Sequence, residues 1–154
     1  MARILVIDDD ASIRELLAVT LGAAGHEVIC AAGGDEGVEV LSSRLIDLVL
    51  LDLMMPERDG MSVLAEVREM PGRRTIPVIV LTARHEPDVF KREVELGVSD
   101  HVVKPFMPSE LEIAVERALS DPDAARQRRR ILATDAAMYS SLGDLMDSAR
   151  ESVV

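Results

Sequence analysis

A second cysteine is missing, so Cys30 has no partner for an internal disulfide. It lies in the apolar stretch Val28-Ile29-Cys30-Ala31 and reads as a small buried side chain, which fits a reducing compartment. Long apolar runs are missing too: no stretch approaches the roughly 20 apolar residues of a membrane span. Met1-Ala2-Arg3 leads straight into four apolar residues and three aspartates, without the longer apolar segment and cleavage site of a signal peptide. The expectation is a cytoplasmic protein with no membrane partner. Cys/His metal spacing is also absent. His26, His85 and His101 are scattered, and nothing in their placement favours zinc.

Positive charge is scarce. The formal net charge is −11; residues 1–120 carry 12 Lys/Arg against 22 Asp/Glu (net −10) and residues 121–154 carry 5 against 6 (net −1). An acidic body repels phosphate backbones, so direct nucleic-acid binding is not expected. Arg126, Arg128, Arg129 and Arg130 form one local basic cluster, which reads as a solvated face or a partner contact.

What is present suits one compact domain with a short extension, since 154 residues at 48% hydrophobic composition can bury an ordinary core. Five short apolar runs stand out: Ile4-Leu5-Val6-Ile7, Val28-Ile29-Cys30-Ala31, Leu48-Val49-Leu50-Leu51, Val78-Ile79-Val80-Leu81 and His101-Val102-Val103. Most lack polar alternation, as in strands of a parallel sheet covered on both faces. Helical spacing fills the gaps. Ile13, Leu16, Leu17, Thr20 and Leu21 share a face, with Ser12 near the start and Gly22 and Gly25 near the end. Val38 and Leu41 mark a second helix; Met61, Leu64, Ala65 and Val67 a third, after Asp59-Gly60; Val89, Val94 and Leu96 a fourth, closed by Gly97. Leu111, Ile113, Val115, Ala118 and Leu119 mark a fifth, with Ser109 as its expected N-cap. Strand and helix alternate at about 20–30 residues per unit, the length of right-handed βαβ crossovers. This predicts an α/β fold over residues 1–120, a doubly wound five-stranded parallel sheet with five helices.

Residues 121–154 differ. Arg128, Ile131, Asp135, Met138, Leu142, Leu145 and Ala149 alternate steps of three and four, flawed by Asp135 and Gly143. Two readings stay open for this C-terminal helical extension: a helix packed on its own domain, and a signalling or partner-docking helix forming a homodimer through residues 124–150.

In open α/β sheets the site lies outside the carboxyl ends of the strands. Those ends carry Asp8-Asp9-Asp10, Asp52, Thr82-Ala83 and Lys104-Pro105, and three of these four sets are expected to converge. Two like charges 4 Å apart repel by roughly 4 kcal/mol at an effective dielectric near 20. Asp8, Asp9 and Asp52 together therefore call for a proton or a cation, and an all-oxygen set suits Mg²⁺. Lys104 offers a point charge for phosphate, the Thr82 hydroxyl a donor, and small Ala83 leaves room above. That set fits in-line phosphoryl transfer to an aspartate. Asp52 is the nucleophile of choice, because Asp8 and Asp9 share a strand end suited to metal.

These motifs resemble the receiver domain of bacterial two-component response regulators, the CheY-like family with a flavodoxin-like fold, over about residues 2–120. The resemblance rests on Ile4-Leu5-Val6-Ile7-Asp8-Asp9-Asp10, Leu51-Asp52-Leu53-Met54-Met55-Pro56 with Asp59-Gly60, Val80-Leu81-Thr82-Ala83 and Val103-Lys104-Pro105-Phe106. It implies that Asp52 takes phosphate from a sensor histidine kinase or phosphotransfer protein. It also implies that Asp8, Asp9, Asp52 and the main-chain carbonyl of Met54 hold Mg²⁺, that Thr82, Ala83 and Lys104 bind the phosphoryl oxygens, and that the bond before Pro105 is cis. The implied switch pairs Thr82 with position 101, where His101 stands in place of the usual Tyr or Phe. Met54 and Arg84 correspond to positions that tune dephosphorylation. On this reading the protein is a signalling switch and not an enzyme, beyond its own phosphorylation and dephosphorylation.

Two outputs are compatible with such a receiver. One is a stand-alone module whose fourth and fifth helices contact a downstream protein target. The other is part of a longer regulator with a DNA-binding or enzymatic effector. An aspartate-nucleophile phosphohydrolase fits poorly, since it wants an aspartate two residues after the nucleophile and Asp52 has Met54 there.

Overall fold

Five strands pair in parallel in the order β2-β1-β3-β4-β5, in a computed structural model that describes residues 1–83, 91 and 94–120. In chain order the elements are β1 (Arg3–Ile7), α1 (Ala11–Ala23), β2 (Glu27–Ala31), α2 (Gly34–Ser43), β3 (Leu48–Asp52), α3 (Gly60–Glu69), β4 (Val78–Thr82), β5 (Asp100–Val103) and α4 (Pro108–Ser120). Here α4 is the fifth helical stretch of the sequence. Of the fourth stretch, Lys91, Val94 and Glu95 are helical and Gly97 turns the chain at φ +74°. Val89, Arg84, His85 and the whole of 121–154, with its basic cluster and proposed dimer seam, lie outside the described residues.

The central apolar runs form strands covered on both sides, while the edge strands β2 and β5 are only partly covered. Every residue of β3 and β4 is buried. Successive strand residues point to opposite faces, and this divides the core in two. Leu5, Ile7, Val49, Leu51, Val78 and Val80 meet Leu41 of α2 and Val63, Leu64 and Val67 of α3. Ile4, Val6, Leu48, Leu50, Ile79 and Leu81 meet Leu17 and Leu21 of α1 and Leu111, Ala114 and Val115 of α4. A run with a strict polar alternation could not serve both layers.

Ser12 lies near the start of α1 as expected, and the cap itself is Asp10: its carboxylate accepts the backbone N–H groups of Ser12 (2.9 Å) and Ile13 (3.4 Å). One helix start differs from the sequence expectation. Ser109 does not cap α4 but lies inside its first turn, because Pro108 already has the φ of a first helical residue. Glu110 Oε1 reaches back to accept the Met107 N–H at 2.7 Å.

Register levels the strand ends that matter. Ile7 pairs with Leu51, Asp52 with Leu81 and Thr82 with Val103. Asp8, Asp52, Thr82 and Lys104 therefore emerge at one edge. The chain moves outward to β2 on one side of β1 and to β4 and β5 on the other, so the topological switch point falls between β1 and β3.

Candidate functional site

Asp8 leaves β1 with its side chain fully buried, and Asp52 ends β3 at 3% exposure. Exposed Asp9 completes a set of three carboxylates whose nearest oxygens all lie within 4.8 Å of one another. Each buried acid is fixed by a main-chain donor two residues on: Asp10 N–H to Asp8 Oδ1 at 2.9 Å, and Met54 N–H to Asp52 Oδ1 at 3.0 Å. The Arg14 guanidinium of α1 donates to the Asp8 carbonyl at 2.8 Å and holds the turn from behind.

Lys104 crosses from β5. Its Nζ lies 2.9 Å from Asp8 Oδ2 and 3.5 Å from Asp52 Oδ1. Its backbone N–H donates to the Thr82 carbonyl at 2.7 Å, which ties the β5 end to the β4 end. The Lys104–Pro105 bond is cis.

Electrostatics follow from the burial. Withdrawal from water pushes the Asp52 carboxyl up from 3.8 to about 6; Asp8 and Asp9 push the same way, while the Met54 N–H and Lys104 oppose them. Burial works to lower the Lys104 ammonium, but Asp8 and Asp52 outweigh it and its pKa is raised. The pocket thus holds more negative than positive charge in too little water. An all-oxygen donor set with unrelieved repulsion fits a hard divalent cation, and by the same chemistry Mg²⁺ rather than zinc.

The structure brings together Asp8, Asp9, Asp52 and Lys104, and sets Thr82 (3% exposed) at the neighbouring strand end. Ala83 is exposed just beyond it, and Met54 is 61% exposed beside Asp52. His101 stands half-buried on β5, three residues before Lys104. One contributor escaped the sequence: Arg14 gives no signal, being one basic residue on a helix. Gly60 was marked by its motif but its role was not: α3 starts so close to β3 that a Cβ at Gly60 would overlap the Asp52 carbonyl oxygen and come within 2.6 Å of Leu53 Cα. The Gly60 N–H also bonds the Leu53 carbonyl at 3.2 Å. This glycine lets the loop after Asp52 fold back over the strand end.

Comparison with known proteins points the same way. The family model of the response regulator receiver domain matches residues 4–116. The probable transcriptional regulator ycf27 of Porphyridium aerugineum is 40% identical over 129 residues, which are 84% of this chain and 52% of that protein. The transcriptional regulatory protein DltR of Streptococcus agalactiae is 43% identical over 109 residues, 71% of this chain and 48% of that one. Thus the chain spans about half the length of the curated relatives it matches. Among solved structures, the chemotaxis protein CheY4 of Vibrio cholerae aligns with a TM-score of 0.73 at 32% identity, over 76% of this chain and 98% of that one. The response regulator TrrA of Thermotoga maritima, solved in complex with Mg²⁺-BeF, aligns with a TM-score of 0.68 at 35% identity, over 76% and 98%.

Proposed function

The chain belongs to the response-regulator receiver family, a family of signalling domains, and from that membership we propose that Asp52 is its phosphoacceptor. The observation that carries this reading is the position of Lys104, whose amine from β5 touches carboxylates delivered by both β1 and β3.

Asp8, Asp9, Asp52 and the Met54 main chain would hold Mg²⁺, which when bound neutralises the carboxylates and the incoming phosphoryl oxygens. Asp52 reacts ionised. One carboxylate oxygen forms a bond to phosphorus while the bond from phosphorus to the donor's imidazole nitrogen breaks, and the electron pair stays on that nitrogen. The product is an acyl phosphate on Asp52. Lys104 turns from the carboxylates to one phosphoryl oxygen, and the Thr82 hydroxyl donates to another. Small exposed Ala83 leaves the approach open. A sensor histidine kinase or phosphotransfer protein is the donor on this reading.

Drawing Thr82 toward the phosphoryl group biases His101 on the paired strand, and with it the face of the fourth helical stretch, β5 and α4 that a protein target would contact. The switch selects between two states, limited by how differently they hold the phosphoryl group. The relatives favour a second reading of the output. Two of them are described as transcriptional regulators about twice as long as the matched region, so this receiver would control an effector domain of a longer protein.

Incubation with acetyl phosphate and Mg²⁺ tests the phosphoacceptor. Intact mass should rise by one phosphoryl group, with no rise in Asp52→Asn or in EDTA. Equal labelling of wild type and Asp52→Asn would overturn the assignment.

A further inference from the structure

At the opposite edge of the sheet, where the strands begin, a cavity of about 820 Å³ is lined by Met1, Ala2, His26, Asp47 and Glu116 among others. The His26 side chain is 8% exposed. Its Nδ1 accepts the Ala2 backbone N–H at 3.1 Å. An accepting Nδ1 carries no proton, so in the neutral ring the proton sits on Nε2. That N–H is buried and makes no hydrogen bond among the described residues. Glu116 of α4 places its Oε2 3.5 Å away, with the side chain 66% exposed. The same tautomer argues against a metal at Nε2.

Charged groups facing the ring come from three elements. α4 supplies Glu116, the segment before β3 supplies Asp47, and Met1 stands at the rim. Asp47 is engaged elsewhere, accepting the Arg3 N–H at 2.8 Å. Glu27, next in sequence, pairs with Arg3 and Arg44. Glu116 is therefore the carboxylate placed to receive Nε2–H.

We propose that His26 is an acid-operated latch that exchanges its bond to Ala2 for one to Glu116. Imidazole is the side chain that gains a proton near neutral pH. The added proton goes to Nδ1, where it confronts the Ala2 N–H. Two donors cannot share a hydrogen bond, so this one tie to the start of β1 is lost, while the Ala2 carbonyl keeps the Glu27 N–H at 2.9 Å. The imidazolium gains an ion pair through Nε2 with Glu116, and this ties the last turns of α4 to the turn between α1 and β2. The latch lies at the far edge from the carboxylates and does not depend on the phosphoacceptor reading. Its effect is on α4, the helix from which residues 121–154 continue.

Nitrogen-15 NMR of the imidazoles across neutral to mildly acidic pH tests this directly. At neutral pH the His26 ring should show a bare Nδ1 and a protonated Nε2. On acidification the Ala2 amide proton should move upfield in step with the ring. Glu116→Gln should move protonation of the ring, and the Ala2 amide with it, to lower pH, and Asp47→Asn should move it less. Acetyl phosphate labelling should be the same in Glu116→Gln as in the wild type. A ring protonated on Nδ1 at neutral pH, or a midpoint indifferent to Glu116→Gln, would overturn the proposal.

Discussion

As the proposed phosphoacceptor, Asp52 must ionise in a pocket that already contains buried Asp8, and this one carboxyl gives the site a signature in stability. An unfolded aspartate titrates near 3.8, and folding raises Asp52 to about 6. Between those values the native state binds the extra proton, so this group's contribution favours folding below about pH 4 and is lost as pH rises through 6. Two units correspond to about 3 kcal/mol. Asp52→Asn keeps the acceptor for the Met54 N–H and removes the ionisation. The variant should therefore gain on the wild type by about 2–3 kcal/mol between pH 4 and pH 7 in urea titrations, with Mg²⁺ narrowing the gap. A constant difference across that range would show that the carboxyl is not strained. The sequence already made this repulsion visible, because two strand ends carried aspartates, Asp8-Asp9-Asp10 and Asp52. It could not show that Asp8 would be fully enclosed and Asp9 left in water. That depends on which loop folds over which acid.

Among the elements, those with apolar sequence on both faces were legible and those whose role is polar were not. β3 and β4 are unbroken hydrophobic runs, and both lie in the buried interior of the sheet. β5 reads weakly, as Asp100-His101-Val102-Val103, because it is an edge on which only Val102 is buried. Arg68 is the clearest miss. It sits in the last turn of α3, where a charged residue reads as solvated, yet it is 8% exposed. Its guanidinium donates to the carbonyls of Leu96 (2.6 Å), Gly97 (3.1 Å), Ile76 (2.7 Å) and Arg73 (3.3 Å). It thereby satisfies carbonyls of the loop before β4 (Arg73, Ile76) and of the turn before β5 (Leu96, Gly97). Arg68→Met strands these acceptors and should cost about 2–4 kcal/mol of unfolding free energy. A loss under 1 kcal/mol would mean that water replaces the guanidinium. Gly60→Ala acts on the site instead. It forces α3 away from the Asp52 carbonyl, and should cost on the order of 2 kcal/mol while slowing acetyl phosphate labelling. Unchanged labelling would show that the loop shifts without moving Asp52.

At the scale of the molecule, the family match ends at residue 116 and the last described helix at Ser120. We expect residues 1–120 to fold alone, with unfolding free energy within about 1 kcal/mol of the full chain and equal Mg²⁺-dependent labelling. A larger loss would mean that residues 121–154 pack on the receiver. Fold class was readable from five apolar runs and their spacing. Strand order was not, because pairing of β1 with both β2 and β3 depends on crossovers that leave no local mark.

The central claim is that five side chains from four strand ends make Asp52 the one reactive carboxylate, and reductive trapping measures it most directly. Borohydride converts an aspartyl phosphate to homoserine. After acetyl phosphate and Mg²⁺, peptide mapping should find homoserine at position 52 and at no other aspartate, Asp8 and Asp9 included. Homoserine at position 8 or 9, or none anywhere in protein that has gained a phosphoryl mass, would contradict the account.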